Sequence, residues 1–588
     1  MDVPFLPDEI FSRILPHLHP DDILKSVSPA CRRLYLLGTD PLLWREICTV
    51  HFKAFSAEHG FEDLLSRPAR DVDWLALYRL RKRRNVRALQ LLDDMTKSTV
   101  LLLDKMDELC AFDYDVKEVL IEQARADLYQ SDGFSRAFWA NRALGAIHRR
   151  RAVGVWMELR DPARGPEGFC RPTPENAMKA PERGHAAFDM FVLHDSWCDI
   201  DWISAQLDNM ASSLRNDVPT LDRRSIREQA LILNVWLRQM GFAGLSNYNS
   251  NYRSLRNCLL GQALRDPDHE TIPITSAAIY CAIARRLGIT ADPWFSPGHV
   301  VVCVRLSPGQ SLDNAVEQGE EATSMYLDPW GRDDEIPNEQ VAPFAVPDTW
   351  YSRARQGLTH PVETVLRVHN NIQATNSAAE NRWHFDPELG HLLSGHNQMN
   401  LLAAQYATLW VRSMLSDPEE FAFGNVPPFD KLISMIVDDF PEDITWAEGF
   451  FGPMLRCNPE LFPPDWKEKL EYAAMIIRRM SSQEASADGH WHLDGDLASG
   501  QVFRHIRTSK IGVIFRAKMP ETLPTAGKPD FFECQLADRP GENFVVAQQN
   551  IDIVTDAAII SPEMFPKAGQ YFSRFDKDQC RFIPIGKA

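Results

Sequence analysis

The sequence predicts a multidomain α+β protein. An N-terminal helical module and a helical connector precede an α+β domain with a helical extension, and a small C-terminal β-barrel-like domain follows. Three observations predict this. The 588 residues, 44% hydrophobic and 24% charged, exceed what one core organises, and that length suggests roughly four domains of about 150 residues each. Pro-, Gly- and Ser-rich stretches at Asp161–Gly184, Ser307–Ser324 and Ser481–Gly500 read as linkers or long loops. The apolar period also changes along the chain. VRALQLLDDMTKSTVLLLDKMDELC, MNLLAAQYATLWVRSML and FDKLISMIVDDF repeat near i, i+3, i+4 and i+7, whereas QVFRHI, IGVIF, FFECQL and NFVVA are short β-branched and aromatic runs. The divisions expected are 1–52, 53–160, 185–370, 371–485 and 498–588.

Composition narrows the function. The formal charge of −18, from 81 acidic and 63 basic residues, argues against nucleic-acid binding by the whole chain, which needs a basic footprint. Eleven cysteines form no CxxC pair, so neither a disulfide framework nor a zinc knuckle is expected, and the usage fits a reducing compartment. MDVPFLPDEIF lacks the basic and apolar regions of a leader, and no run of 18 apolar residues occurs. A chain of the cytoplasm or nucleus, with no membrane contact, is expected.

The first element is LPDEIFSRILPHLHPDDILKSVSPACRRLYLLGTDPLLWREI. Leu6, Ile10, Ile14, Leu15 and Leu18 fit a short amphipathic helix opened by Pro7. A second helix starts at Pro20 with acids Asp21 and Asp22 in its first turn, and Ile23, Leu24, Val27, Cys31 and Leu34 supply its buried stripe. So short a helical module is marginal alone and tends to complete its core on a partner, which makes it a docking element. From Pro4 to Phe52, with the Leu6-Pro7 opening and the closing Trp44, these residues resemble an F-box. The resemblance implies attachment to a Skp-type adaptor and a cullin through this apolar set.

The central stretch ETIPITSAAIYCAIARRLGI reads as a buried helix ending at Gly288. HVVVCV reads as a strand buried on both faces, and MYLD as a second strand closed by Asp328. This order is similar to the transglutaminase-like fold, which implies a Cys nucleophile at the helix start, His299 as its base and Asp328 orienting the His. Pro273 stands at that helix start and has no nucleophilic atom. Cys281 lies eight residues along, roughly 12 Å of axial rise, and Cys303 lies about 13 Å along the His299 strand. Thr275 and Ser276 are nearer, where hydroxyls cap helices. With SPGH and the preceding NYNSNYRSLRNCLLGQ, the segment Asp199–Trp330 resembles the SirB-type branch of the transglutaminase-like group. That implies degenerate remnants at His299 and Asp328, with a pocket around His299, Asp328 and Trp330 open to a target.

The last segment, SGQVFRHIRTSKIGVIF followed by FFECQLADRPGENFVVAQQNI, resembles the YccV-type domain named for hemimethylated DNA. Gly500, Gln501, His505, Gly512, Val513, Ile514 and Asn550 fall at that family's positions, whereas Phe515-Arg516 stands where a Trp-Asp is usual. With 12 basic and 10 acidic residues from Gly500 to Ala588, the field is weak for phosphate contacts, and a protein-binding β-module is expected. Arg79–Arg87, RLRKRRNVR, reads as the solvated face of a helix, and the Asp438-Asp439 and Glu442-Asp443 pairs as solvated helix ends. His490-Trp491-His492 has no metal-ligand spacing and no phosphate-binding Gly loop is present, so no metal and no cofactor are expected. The order of modules resembles a group of eukaryotic F-box proteins, which implies a non-catalytic substrate receptor of an SCF-type ubiquitin ligase presenting unidentified target proteins. Two other readings stay open: a thiol acyl-transfer enzyme, and a DNA-associated protein acting through its last domain.

Overall fold

The computed structural model describes residues 7–98, 100–159, 181–192, 199–246, 252–296, 298–306, 311–313, 324–337, 340, 361–385, 397–415, 428–457, 462–463, 465–482, 497–518, 531–537 and 539–585. It is a multidomain α+β protein with an N-terminal helical region, a middle domain and C-terminal sheets. Its compact units do not follow chain order. One combines residues 1–147 with 478–537 and 543–588, and the other holds 148–477 and 538–542.

In the first unit, helices Asp8–Ile14, Arg32–Gly38 and Pro41–His51 surround an irregular segment, with Pro20–Asp22 α-helical and Ile23–Val27 wound as a π-turn. The continuous second helix expected through Leu34 does not form. Pro29 has no N–H to carry the helical ladder on past Ser28, and the chain restarts with Cys31 as N-cap, its Sγ accepting from Leu34 N at 3.5 Å. Cys31 is exposed rather than buried. The core below comprises Leu15, Ile23, Leu43, Trp44, Ile47 and Cys48, and it continues without a break into Phe52, Ala69, Trp74, Leu77 and Tyr78. Trp44 is fully buried, donates from Nε1 to Gly38 O at 2.8 Å and packs on Tyr78 with ring centroids 4.9 Å apart. The helical module thus completes its core with the chain's own helix Trp74–Met95 rather than awaiting a partner. That helix carries the basic run, and the solvated face expected of it forms in part: Arg79, Arg83 and Arg87 are exposed, whereas the other side turns inward. Arg81 is buried against Asp115 and Glu118, Arg84 pairs with Glu58 and Asp115, and Arg87 pairs with Glu108.

In the second unit, the helix Pro273–Arg286 is buried from Pro273 through Ala284. It ends where Gly288 takes φ +83° and Ile289 N donates to Ala284 O at 2.9 Å, a left-handed cap that favours Gly. Against it lies an antiparallel sheet ordered β1 (Ala291–Ser296), β2 (His299–Arg305), β3 (Ser324–Leu327) and β4 (Glu335–Ile336). The register Ser296↔His299, with Gly298 at φ +81°, puts His299 first on β2. Val300 to Val304 are buried in succession, as a strand covered on both faces requires. Glu442 and Asp443, expected in solvent, are instead buried: Arg149 Nε donates to Asp443 Oδ2 and its Nη2 to Glu442 Oε1, each at 2.6 Å, with Tyr406 Oη donating to Asp443 Oδ2 at 3.2 Å. A guanidinium supplies a bidentate counterion that lets both carboxylates leave water.

The C-terminal residues form β5 (Val502–His505), β6 (Ile511–Lys518), β7 (Phe531–Leu536), β8 (Arg539–Ala547) and β9 (Ile551–Ile553), in the order β8-β7-β6-β5-β9, with a separate hairpin of β10 (Phe572–Asp576) and β11 (Arg581–Pro584). Their core takes in Phe134 of the helix Gly133–Glu158, whose ring lies 5.3 Å from that of Phe582.

Candidate functional site

The loop after β3 is fixed from one side by the helix Ile226–Gln239, which starts in a capping box of Ser225 and Glu228. Asn234 Nδ2 donates to Arg332 O and Asp333 O at 2.9 and 3.1 Å, Arg238 reaches Trp330 O at 3.3 Å, and Arg227 pairs with Glu335. Within the loop, Asp328 Oδ1 accepts from Trp330 N and Gly331 N, both at 3.1 Å, an Asx turn that aims the other carboxylate oxygen outward. A Cβ on Gly331 would lie 2.6 Å from that carboxylate, so a side chain there would displace the Asp328 oxygen that faces His299. Asp328 Oδ2 then lies 2.9 Å from His299 Nε2. The Trp330 ring lies 5.7 Å from the imidazole, and its Nε1 donates to Thr271 O at 2.8 Å, two residues before Pro273. Sequence-predicted His299, Asp328 and Trp330 therefore meet, and Trp330 ties them to the strand-like approach to the helix start.

At the helix start, Pro273 is the first helical residue and is buried. The neighbouring hydroxyls are already engaged: Ser276 Oγ and Thr271 Oγ1 lie 2.6 Å apart, and Thr275 Oγ1 donates to Asn257 O at 3.0 Å. The thiols nearby are held as thiols. Burial pushes Cys281 well above its ordinary value, Cys258 up to about 12 and Cys303 up to about 11. The site thus presents an imidazole paired with a carboxylate.

Residues 201–349 match the family model of the transglutaminase-like superfamily. Residues 3–50 match the F-box-like model. No curated protein and no solved structure matches the chain. The chain therefore carries an F-box-like domain and a transglutaminase-like domain, and the His299–Asp328 pair lies within the latter.

In the F-box-like domain the residues expected on an adaptor separate into two sets. Leu6 lies outside the described residues. Pro7, Ile10 and Ile14 are exposed, the two isoleucines at 41% and 42%. Leu24, Val27 and Leu34 are half-buried. Leu15, Ile23 and Trp44 are at 2% exposure or less, so they form core and present no surface. Four outward apolar residues escaped the sequence reading: Tyr35, Leu36, Leu42 and Val50, 56% to 70% exposed. The signal is present in PLLWREICTVH, where a stripe of Leu43, Trp44, Ile47 and Cys48 leaves Leu42 on the opposite face and Val50 on the flank.

In the C-terminal sheet the marked residues hold backbone. Gln501 bridges to Arg581 and its side chain caps Ala498 N. His505 Nδ1 accepts from Thr508 N at 3.3 Å, and Asn550 O accepts from Ile506 N at 2.9 Å. Gly512 faces the Phe503 ring, which a Cβ would meet at 2.6 Å. His490, Trp491 and His492 lie outside the described residues. Among the described residues one group has metal-like donors, Glu58, His59 and Asp115. Arg84 already donates to both carboxylates, so a cation holds that place. No helix among the described residues is long and apolar enough to cross a membrane.

Proposed function

We propose that this chain is the substrate-recognition subunit of an SCF-type cullin ubiquitin ligase. The F-box-like domain docks on a Skp-type adaptor, which links it to the cullin, and the later domains hold a target protein so that proximity raises the effective concentration of its lysines. One observation carries this reading: the F-box-like helices close their core on the chain itself and still leave Ile10, Ile14, Tyr35, Leu36, Leu42 and Val50 in water. Exposed apolar residues in that number are what a binding face requires. The transglutaminase-like domain serves recognition rather than catalysis, a reading supported by Pro273 at the helix start and by the burial that raises the Cys281 and Cys258 thiols. The surface at His299, Asp328 and Trp330 is the first place for a target to bind. Residues 498–588 serve as a YccV-like protein-binding module, a reading supported by the antiparallel five-stranded sheet and by the near balance of 12 basic and 10 acidic residues from Gly500 onward. A cytoplasmic or nuclear location follows from the adaptor.

The test is capture of a Skp-type adaptor by the full chain and by a variant with Leu6→Ala and Pro7→Ala. Capture is expected to disappear in the variant, and undiminished capture overturns the docking reading.

A further inference from the structure

Directly after the F-box-like domain, the chain from Phe52 to His59 runs without regular helix as far as a short turn at Ala57–His59. A connector of this kind would ordinarily give its N–H groups to water. Here they are taken by three acids from about sixty residues further on. Lys53 N and Ala54 N both donate to Glu118 Oε1, at 2.7 and 2.9 Å. Ser56 N donates to Asp115 Oδ1 at 2.9 Å, and Ala57 N to Asp113 Oδ2 at 3.3 Å. His59 Nε2 lies 2.9 Å from Asp115 Oδ2.

The acids are balanced by the basic helix. Arg81, fully buried, donates to Ala54 O at 2.9 Å and Glu118 Oε2 at 3.1 Å, with its other terminal nitrogen 3.2 Å from Asp115 Oδ1. Arg84 donates to Asp115 Oδ2 at 2.7 Å. The Arg81 guanidinium also lies over the rings of Phe52 and Phe55, at 4.5 and 5.1 Å. Asp115 has no exposed side-chain surface and meets two guanidiniums, an imidazole and a backbone N–H. Breaking any one of these leaves buried charge uncompensated, so the set holds or fails together.

We propose that Asp115 and Glu118 form a latch that fixes the strap 52–59 and adds a polar tie to the apolar core the F-box-like helices share with the helix Trp74–Met95, so that these helices and the arm built from residues 74–124 move as one rigid piece. In the receptor reading, on which the functional meaning rests, the latch sets the direction in which a docked adaptor leaves the chain. Asp115 and Glu118 are positioning residues and touch no adaptor. Arg81 and Arg84 of the basic helix are thereby assigned an internal mechanical role.

The test uses the full chain with fluorophores placed bio-orthogonally at position 42 on the F-box-like helices and position 104 on the arm, both exposed and both in the first compact unit, read by single-molecule energy transfer. The native chain is expected to give one narrow distance distribution. Asp115→Asn with Glu118→Gln is expected to broaden it at least twofold and to speed amide exchange at Lys53, Ala54 and Ser56 more than tenfold, while adaptor affinity stays within threefold. A broad native distribution, or an unchanged width once those amides exchange freely, overturns the latch. Should the double variant unfold, the native width and the native protection of those three amides still decide. Loss of all adaptor binding in the native chain with a narrow distribution overturns the receptor reading and leaves the latch standing.

Discussion

Changing Ile10 and Leu36 together to Asp separates the outer face of the F-box-like helices from their core. Ile10 is 41% exposed and Leu36 61%. Full burial of such a side chain contributes about 1.5–3 kcal/mol, so covering the remaining surface of both yields roughly 2 kcal/mol, or about 30-fold in affinity. Each new carboxylate would also have to be desolvated against the partner, which adds to the loss. Folding should change little, by about 1 kcal/mol or less. Trp44→Ala is the converse. It empties a fully buried site, removes the hydrogen bond to Gly38 O and the contact with Tyr78, and should destabilise by about 3–5 kcal/mol. Calorimetric titration of the full chain with a purified Skp-type adaptor, beside denaturant unfolding, reads both. Adaptor binding within threefold of native in the double variant would refute the assignment of this face, as would a double variant destabilised as much as Trp44→Ala.

Three further outcomes follow. Arg149→Met strands the buried Glu442 and Asp443 carboxylates and should cost about 3–5 kcal/mol in unfolding free energy; a change under 1 kcal/mol would show that the pair is hydrated. Burial holds His185 down at about 4, with Nε2 on Cys258 O. The unfolded state, titrating near 6.5, therefore binds the extra proton between those values, and roughly 3 kcal/mol of stability present at neutral pH is lost as pH falls from about 6.5 to 4. The stability difference between native and His185→Gln should shrink over that window, and a pH-independent difference would contradict it. Alkylation followed residue by residue should label exposed Cys31 in the native chain and reach Cys258, Cys281 and Cys303 only on unfolding. Faster labelling of Cys281 or Cys258 than in the denatured chain would revive the thiol acyl-transfer reading.

Local pattern made the helix Pro273–Arg286, its Gly288 terminus, β2 and the C-terminal strands legible, because each rests on neighbours in sequence. His299, Asp328 and Trp330 could be marked in the same way. What brings them together could not: Asn234, Arg238 and Thr271 act from other elements, and nothing in their own surroundings announces it. The same limit explains the charges. Arg81 and Arg149 look solvated in isolation, and their partners Asp115, Glu118, Glu442 and Asp443 lie 34 to 294 residues away. Trp44 shows a different failure, in which apolar residues were read as one binding set although a helix with a buried stripe must present a second face. Cutting the chain at residue 52 likewise divided a core that runs on through Trp74 and Tyr78.

That shared core also decides how the receptor reading should be tested, since removing residues 1–52 would lay Trp74, Leu77 and Tyr78 bare and confuse misfolding with lost docking. The direct measurement is affinity purification of the intact full-length chain beside its Ile10→Asp, Leu36→Asp counterpart, with bound proteins quantified. The account predicts that a Skp-type adaptor and a cullin accompany the native chain and vanish from the variant while other partners persist. A native chain that captures neither, or a variant that captures both equally well, would contradict it.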